Sequence, residues 1–457
     1  MKKERWRLYA KKADFAAISK AYGINQVTAR IMRNRGVETK EEIESYLKGD
    51  LDYLSDPALM KDADKAASLL EAAIANNELI AISSDFDNDG IFSGLLLKEA
   101  IIELGGCAAI FTPNRVMEGY GVNSRIVEEA NARGASVLLT CDNGIAAFEA
   151  IDEAKKLGMT VIVTDHHEVP FEEHDGKKIY ILPKADAIVD PKQEDCAYPF
   201  KSLCGTGVAY QLMTLLFRRM KRTMSHQEIF LQYTAIATVA DVMELVGENR
   251  ILVRKGLSYL NHTNHTGLRA LMEVCGIAPE QVRAYHIGFI LGPCFNAAGR
   301  LDTIVHALEL LESKEYDQAL ALAGELWAMN EERKELTRVG TERAVELIEH
   351  ATWKDEHVYL VYIKDCHESV AGIIAGRLRE RYYRPVLVFT DASEEGQIKA
   401  SGRRTQKRAT PDYRNWYKGH CNYKTVFECT GRCKRGLYIC GFFKIFSAGS
   451  RERTCEI

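Results

Sequence analysis

Three clusters of acidic and imidazole side chains each follow a short apolar run. Asp85-Phe86-Asp87-Asn88-Asp89-Gly90 follows Leu79–Ser84, Cys141-Asp142-Asn143-Gly144 follows Val137–Thr140, and Asp165-His166-His167 follows Val161–Thr164. If these runs are strands of one parallel sheet, the clusters converge on its carboxyl edge, where open α/β sheets bind ligands. Carboxylates gathered there without partners repel each other and resist desolvation. A pair of divalent cations resolves both costs. Mixed carboxylate and imidazole ligands suit Mn²⁺ or Mg²⁺ better than a thiolate-bound metal.

Other readings of the first cluster are weaker. Asp-x-Asp-x-Asp-Gly also opens a calcium-binding EF-hand loop, but that loop needs a bidentate Glu at its twelfth position, which is Leu96, and a flanking helix where Leu79–Ser84 is strand-like. One Asp could simply cap the following helix. Three in alternation, with Asp142 and the Asp-His-His run at matching strand ends, point to a site. His166 and His167 are adjacent, and neighbouring side chains at a strand end point apart, so one can bind metal while the other faces substrate.

The elements that must position these groups are legible from periodicity. Residues 1–75 read as helical and charged, with helices over Thr39–Tyr46 and Asp62–Ala75. From Leu79, short apolar runs (Leu79–Ser84, Ala108–Thr112, Val137–Thr140, Val161–Thr164, Ile179–Leu182, Ala187–Val189) alternate with helices over Ile91–Leu104, Ser124–Ala132 and Ala146–Leu157. That alternation predicts βαβ units around a buried parallel sheet. Residues 205–350 read as mainly helical, with one or two long helices over Tyr316–His350 as a connector. A second α/β pattern follows: strands at Tyr359–Ile363 and Pro385–Thr390 flank a helix over Ser369–Glu380.

The chain has 457 residues, with 46% apolar and 27% charged, which predicts two or three domains of globular type. No run of about 18 apolar residues exists, and the charged start Met1-Lys2-Lys3-Glu4-Arg5-Trp6 lacks a signal peptide's apolar stretch. A cytoplasmic protein with no membrane partner is expected. The net charge of −4 conceals an asymmetry: residues 403–457 hold 13 Lys/Arg against 4 Asp/Glu. Five of the 12 cysteines (Cys421, Cys429, Cys433, Cys440, Cys455) also fall there.

At these clusters the sequence resembles the DHH phosphoesterase superfamily, and within it the branch specific for single-stranded DNA. The motifs are Ser84–Gly90, Asp142-Asn143-Gly144, Asp165-His166-His167 and Ala240-Asp241-Val242-Met243. Further matching segments are Pro113-Asn114-Arg115, Glu118–Gly121, Asp190–Gln193, Tyr198–Phe200, Leu203–Gly207, Asn296–Arg300, His367-Glu368 and Ser401-Gly402-Arg403. The resemblance covers roughly residues 5–403. It implies an α/β fold with a parallel-sheet DHH catalytic domain (76–250) after a helical N-terminal segment (1–75). A helical extension and connector (251–355) then leads to a smaller, truncated α/β DHH-associated domain (356–403) that binds nucleic acid.

The resemblance also implies roles. Asp85, Asp87, Asp142, His166 and Asp241 would hold two metal ions, Mn²⁺ in preference to Mg²⁺, with Asp142 bridging. Asp142, His166 and His167 would be catalytic, His167 touching the scissile phosphate. Asp89 and Asp165 would orient the ligands. Arg115, Asn296, Arg300, Ser401, Gly402 and Arg403 would bind nucleic-acid phosphates, and Tyr120 and Phe295 are candidates for stacking on bases. The implied activity is 5′ to 3′ exonucleolytic hydrolysis of single-stranded DNA in repair and recombination, by a monomer, with a helicase or single-strand-binding protein as partner and a cleft between the domains that admits one strand. Alternatives are a phosphodiesterase of short oligonucleotides or cyclic dinucleotides, and a catalytically impaired DNA-binding relative. The family pattern breaks after Arg403: the expected Gly-Gly-His and Ala-Ala-Gly are missing. A shifted reading frame explains the abrupt change in charge and cysteine content. A zinc tail on Cys421, Cys429, Cys433 and Cys440 has spacings unlike usual zinc pairs.

Overall fold

The computed structural model describes residues 11–113, 120–174, 177–278, 280–301, 304–351, 357–392 and 398–404, with the backbone of short strands at 427–428, 443–445 and 453–455. The expected readings of Arg115, of Asn114 and Glu118 in their motifs, and of the tail cysteines lie outside the described residues. The chain divides into two compact units, one of residues 1–299 with 303–327, the other of 300–302 with 328–457.

The first unit begins with helices α1 (Phe15–Tyr22), α2 (Gln26–Asn34), α3 (Lys40–Lys48) and α4 (Ala63–Ala75). Thr39 caps α3 through a reciprocal bond with Glu42, the Ser/Thr-x-x-Glu signature of a helix start. A sheet follows, built from β1 (Leu79–Ser84), β2 (Cys107–Phe111), β3 (Ala135–Cys141) and β4 (Thr160–Thr164), with helices α5 (Asn88–Glu103), α6 (Ser124–Ala132) and α7 (Phe148–Lys156) in the crossovers. After a hairpin of β5 (Phe171–His174) and β6 (Lys177–Tyr180), β7 (Ala187–Val189) completes it. The strand order is β2-β1-β3-β4-β7 and every pairing is parallel.

This order has a consequence for ligands. The chain runs from β1 outward to β2, then returns to place β3 on β1's other flank. The crossovers therefore diverge between β1 and β3, the topological switch point where such sheets open a crevice. The strands are buried on both faces, as parallel sheets with helices on each side require. Ala81, Leu138, Val161 and Val163 pack with α6 and α7 residues. On α5, Ile91, Phe92, Leu95, Leu96 and Leu97 are all buried, so that helix lies in the core.

The run Ile179–Leu182 departs from expectation. It does not join the parallel sheet; its start lies in the antiparallel hairpin with Phe171 paired to Tyr180, and Ile179, Tyr180 and Leu182 are exposed. Lys177, Lys178, Glu172 and Glu173 explain the difference, since a buried central strand would have to desolvate them.

The rest of the first unit is helical: α8 (Gly205–Arg219), α9 (Gln227–Ala240), α10 (Gly247–Leu260), α11 (Thr266–Val274), α12 (Ala284–His286), a π-helical turn over Ile287–Leu291, α13 (Gly292–Leu301) and α14 (Val305–Glu312). The connector is one helix, α15 (Tyr316–Glu349), of 34 residues.

In the second unit, β8 (Tyr359–Ile363) pairs in parallel with β9 (Val386–Asp391), and β10 (Ile398–Arg403) pairs antiparallel with β9. Between β8 and β9 runs α16 (Ala371–Tyr382). Its core joins Val361, Ile363, Val386 and Val388 to Ile374, Leu378, Ala344 and Ile348. This matches the expected strands and helix within a few residues.

One packing contact bears on the site. A methyl group added at Gly299 would be driven into the carbonyl oxygen of Phe86, between Asp85 and Asp87. Gly299→Ala gains about 1 kcal/mol of helix propensity but meets backbone that must move, which costs about 1–3 kcal/mol. The variant should therefore unfold at lower urea concentration than the parent. An increase in stability would show that α13 does not brace the Asp85–Asp87 loop.

Candidate metal centre

The carboxyl ends of β1, β3 and β4 deliver the three clusters to one place, and the end of α9 adds Asp241. The turn after β3 is built by side chains. Asn143 Nδ2 donates to the carbonyls of Ser83 (3.2 Å) and Cys141 (2.9 Å), tying β1 to β3. Thr140 Oγ1 donates to the Asn143 carbonyl at 2.7 Å. Asp142 adopts φ +59°, the left-handed region that Asp tolerates better than most residues. Its room depends on Gly205: a Cβ there would sit 2.7 Å from Asp142 Cβ.

The ligand atoms converge on His166. Its Nε2 lies 3.0 Å from Asp142 Oδ1, 3.6 Å from Asp89 Oδ2 and 3.9 Å from Asp241 Oδ2. Two triads, Asp142–His166–His167 and Asp89–His166–Asp241, each place one ligand atom per residue within 4.8 Å of the others. His166, rather than Asp142, is common to both. Asp142 Oδ1 takes no hydrogen bond despite its proximity to His166, and His166 Nδ1 is also buried without a partner among the described residues.

Hydrogen bonding sorts the remaining carboxylates. Asp165 Oδ1 accepts from the backbone of His166 (2.7 Å) and His167 (3.1 Å) and from His167 Nδ1 (2.8 Å), while Oδ2 accepts from Ile145 N (2.9 Å). Asp89 Oδ2 accepts from Gly205 N (2.6 Å), and Oδ1 from Thr206 N (2.7 Å) and Thr206 Oγ1 (2.6 Å). Asp89 is thereby saturated by the N-terminus of α8, where backbone donors and the helix dipole favour an anion. Asp87 Oδ1 caps α5 through Asp89 N and Gly90 N, at 3.0 and 3.2 Å. It is a helix cap as well as a candidate ligand. Asp85 Oδ1 accepts from Phe86 N at 2.8 Å. Asp85 and Asp87 fall outside the two triads.

Protonation follows from this sorting. Burial, then the charges of Asp89, Asp87, Asp85 and Asp165, push the Asp142 carboxyl well above the usual range. Burial and Asp89 push Asp241 up to about 8. Burial pulls Asp165 upward too, but the hydrogen bond and charge of His167 override it and hold Asp165 low. Burial pulls His167 down, and the bond to Asp165 outweighs this and lifts it to about 9. Burial lowers His166, favouring the neutral ring that coordinates metal. Buried oxygens without donors, beside a neutral imidazole, fit one or more divalent cations.

The other expected residues are distributed as follows. Asn296 Oδ1 accepts from Asn88 N at 3.1 Å, and Asn88 Nδ2 donates to the Gly292 carbonyl at 3.1 Å, so α13 holds the start of α5. Phe295 is wholly buried and packs edge-on against Phe92; it is core and unavailable for stacking. Tyr120 is partly exposed, with its ring on Phe86. In the second unit, Arg300 Nη1 donates to the Ser369 carbonyl at 3.0 Å. Ser401 and Arg403 on β10 flank Gly372 at the start of α16, with Gly402 between them.

Two residues at the centre were given no role by the sequence reading. Asp190 directly follows β7, the same strand-end signal that revealed the other clusters. Its Oδ1 accepts from Lys192 N at 2.7 Å, and its Oδ2 is buried without a partner among the described residues. Burial and Asp165 push it up to about 8. Lys192 pairs with Glu168 at 3.2 Å, and its charge reaches both His166 and Asp241.

Comparison with known proteins agrees with this arrangement. Residues 79–238 match the DHH family, N-terminal domain. The chain is 37% identical over 388 residues to the single-stranded-DNA-specific exonuclease RecJ of Dickeya dadantii (strain 3937), an alignment covering 82% of this chain and 65% of the relative. It is 34% identical over 403 residues to the RecJ of Bacillus subtilis (strain 168), covering 88% and 49%. The chain thus spans less than two thirds of the length of these relatives. Among solved structures, exonuclease RecJ bound to manganese superposes with a TM-score of 0.65 at 29% identity, covering 78% of this chain and 84% of that one. RecJ from Thermus thermophilus in complex with Mn²⁺ gives 0.71 at 27%, covering 88% and 55%. With its sheet, its strand-end clusters and these likenesses, residues 79–238 form a DHH-family N-terminal domain.

Proposed function

We propose that this chain is a metal-dependent exonuclease that hydrolyses single-stranded DNA. The observation that carries the reading is the buried, donor-poor oxygen of Asp142 beside neutral His166, with Asp241 alongside, at the switch point of a parallel sheet. The relatives named as single-stranded-DNA-specific exonucleases, and the manganese-bound structures, support it. Asp142, His166 and Asp241 would hold the metal, with Asp85 and Asp87 completing the shell. Divalent cations bound there would activate a water and stabilise the leaving oxygen of a phosphodiester. No Ser or Cys nucleophile is then required. Asp165 fixes His167 by its Nδ1, which leaves Nε2 of a half-exposed, cationic ring to meet a substrate phosphate. Lys192 adds positive charge at the same edge. In the second unit, Arg300, Ser401 and Arg403 at the start of α16 would bind a backbone phosphate.

The metal assignment predicts a pH signature. Asp241 and Asp190 retain protons up to about pH 8 in the fold but release them near pH 4 when unfolded. Between those limits the folded state binds more protons, so stability falls as pH rises from about 4 to 8. Metal-free protein should therefore melt at progressively lower temperature across that window. Mn²⁺ at about 100 times its Kd adds roughly 2.7 kcal/mol and should flatten the dependence. Asp142→Asn removes one buried ionisable carboxyl and keeps the left-handed backbone accessible. It should melt higher than the parent without metal at pH 8 and show no Mn²⁺ shift; a full shift would sink the assignment.

The activity is tested with Mn²⁺ on end-labelled single strands, duplexes and a dinucleotide. Stepwise loss from the 5′ end of single strands alone is expected, and Asp142→Ala should abolish it while retaining the parent's circular dichroism. Cleavage of the dinucleotide alone would replace this reading with a small-substrate phosphodiesterase. Binding of DNA without cleavage would identify an impaired relative.

A further inference from the structure

Tyr285 and Phe289 form an exposed aromatic step on the helical segment that leads into α13. Their rings stack at 5.0 Å between centroids and 28° between planes. They are 62% and 69% exposed, an unusual placement for two large rings in contact, because burial of one such side chain is worth about 1.5–3 kcal/mol. Beside them lies an open recess of about 360 Å³ lined by Gln281, Arg283, Tyr285 and His286. Its polar groups suit a nucleobase edge or a phosphate. His286 Nδ1 accepts from Arg283 N at 3.1 Å, which leaves Nε2 as the donor nitrogen of the ring. Among the described residues no carboxylate pairs with the Arg283 guanidinium.

The position of this step ties it to the metal centre. The segment passes along the end of α9, which delivers Asp241: a methyl at Gly288 would meet Val239 Cγ1 at 3.6 Å, and one at Gly292 would meet Ala240 Cβ at 3.3 Å. Gly292 in turn holds Asn88 beside Asp87 and Asp89. At about 1.5 Å of rise per residue, Phe289 and Tyr285 lie on the order of 5 and 10 Å back along the helix axis from Gly292. Phe289 lies within the π-helical turn Ile287–Leu291 that runs into Gly292; such turns are rare and concentrate at functional sites.

We infer that Tyr285 and Phe289 are a base-stacking step for the single strand whose terminal nucleotide occupies the metal centre, with Arg283 contacting a phosphate beside it. The inference deepens the proposed function and rests on it for the identity of the strand. An apolar ring pair accepts any base through its π-face, and an unpaired Arg supplies the charge that a backbone requires. A duplex keeps its bases stacked on one another and offers no free face. The step therefore favours single strands without reading sequence.

The test uses the full chain, metal-free so that nothing is cleaved, and oligothymidylate of about 20 nucleotides carrying one 2-aminopurine at successive positions. In the parent, fluorescence should be quenched most when the probe lies one or two nucleotides from the end that enters the centre. Tyr285→Ala with Phe289→Ala should abolish that quench and weaken binding about tenfold or more, the scale of losing a stacked base. Tyr285→Trp should restore both. Arg283→Ala should instead reduce the salt dependence of binding by about one unit of slope. Unchanged Kd and quench in the double alanine variant would overturn the inference. If the parent binds and quenches but hydrolyses no strand with Mn²⁺, the proposed activity fails while the stacking step stands.

Discussion

Uncompensated negative charge at the carboxyl edge of the sheet is the constraint around which the first unit is organised. Asp142 is buried within reach of the charges of Asp85, Asp87, Asp89 and Asp165. Two unit charges 4 Å apart interact by about 4 kcal/mol at the effective dielectric near a protein surface. Several such pairs would rival the whole stability of a domain. A fold that keeps these groups together must supply donors, protons or cations at that point.

The fold supplies donors selectively. Asp165 and Asp89 are saturated by backbone N–H groups, one from the turns after β3 and β4, the other from the start of α8. These carboxylates serve as struts: Asp165 aims His167, and Asp89 joins α5 to α8. Among the described residues, Asp142 and Asp241 receive no comparable set. The division between wired and unwired oxygens thus separates orienting groups from candidate ligands better than sequence spacing does. It also shows Asp87 in two roles at once, since a carboxylate that caps with one oxygen can still present the other.

Much of this was legible beforehand because parallel strands leave a plain signal. Continuous apolar runs ending in polar turns located β1, β3, β4 and β7 to within two residues, and the strand-end rule points to Asp142 and His166, which share one triad. The signal failed at Ile179–Leu182, where a short apolar run between charged residues formed an exposed hairpin instead. It failed again at Phe295, since an aromatic beside a motif looks the same whether it packs inward against Phe92 or outward. The sharing of His166 by both triads, and the saturation of Asp89 by Gly205 and Thr206, depend on contacts more than 100 residues apart in the chain. No local pattern encodes them. Asp190 shows the opposite case: the strand-end signal was present but was left without a role.

Backbone strain completes the positioning. At the end of α9, Val242 N bonds the Val239 carbonyl (3.2 Å) and Met243 N bonds that of Thr238 (3.1 Å). This closes the helix in the manner usually left to a glycine in the left-handed region. Here that position is Val242, at φ +59° and 86% exposed. A β-branched residue there costs on the order of 1–3 kcal/mol and persists only where surrounding structure enforces it. Solvent exposure means that its side chain repays none of this by packing. Its effect is on freedom: valine has few alternative backbone states at a turn where glycine would have many. The preceding residue is Asp241, whose carboxylate must meet His166 from outside the sheet. A stiff turn at Val242 and a left-handed Asp142 held against Gly205 position the two carboxylates that, among the described residues, hydrogen bonds leave unanchored.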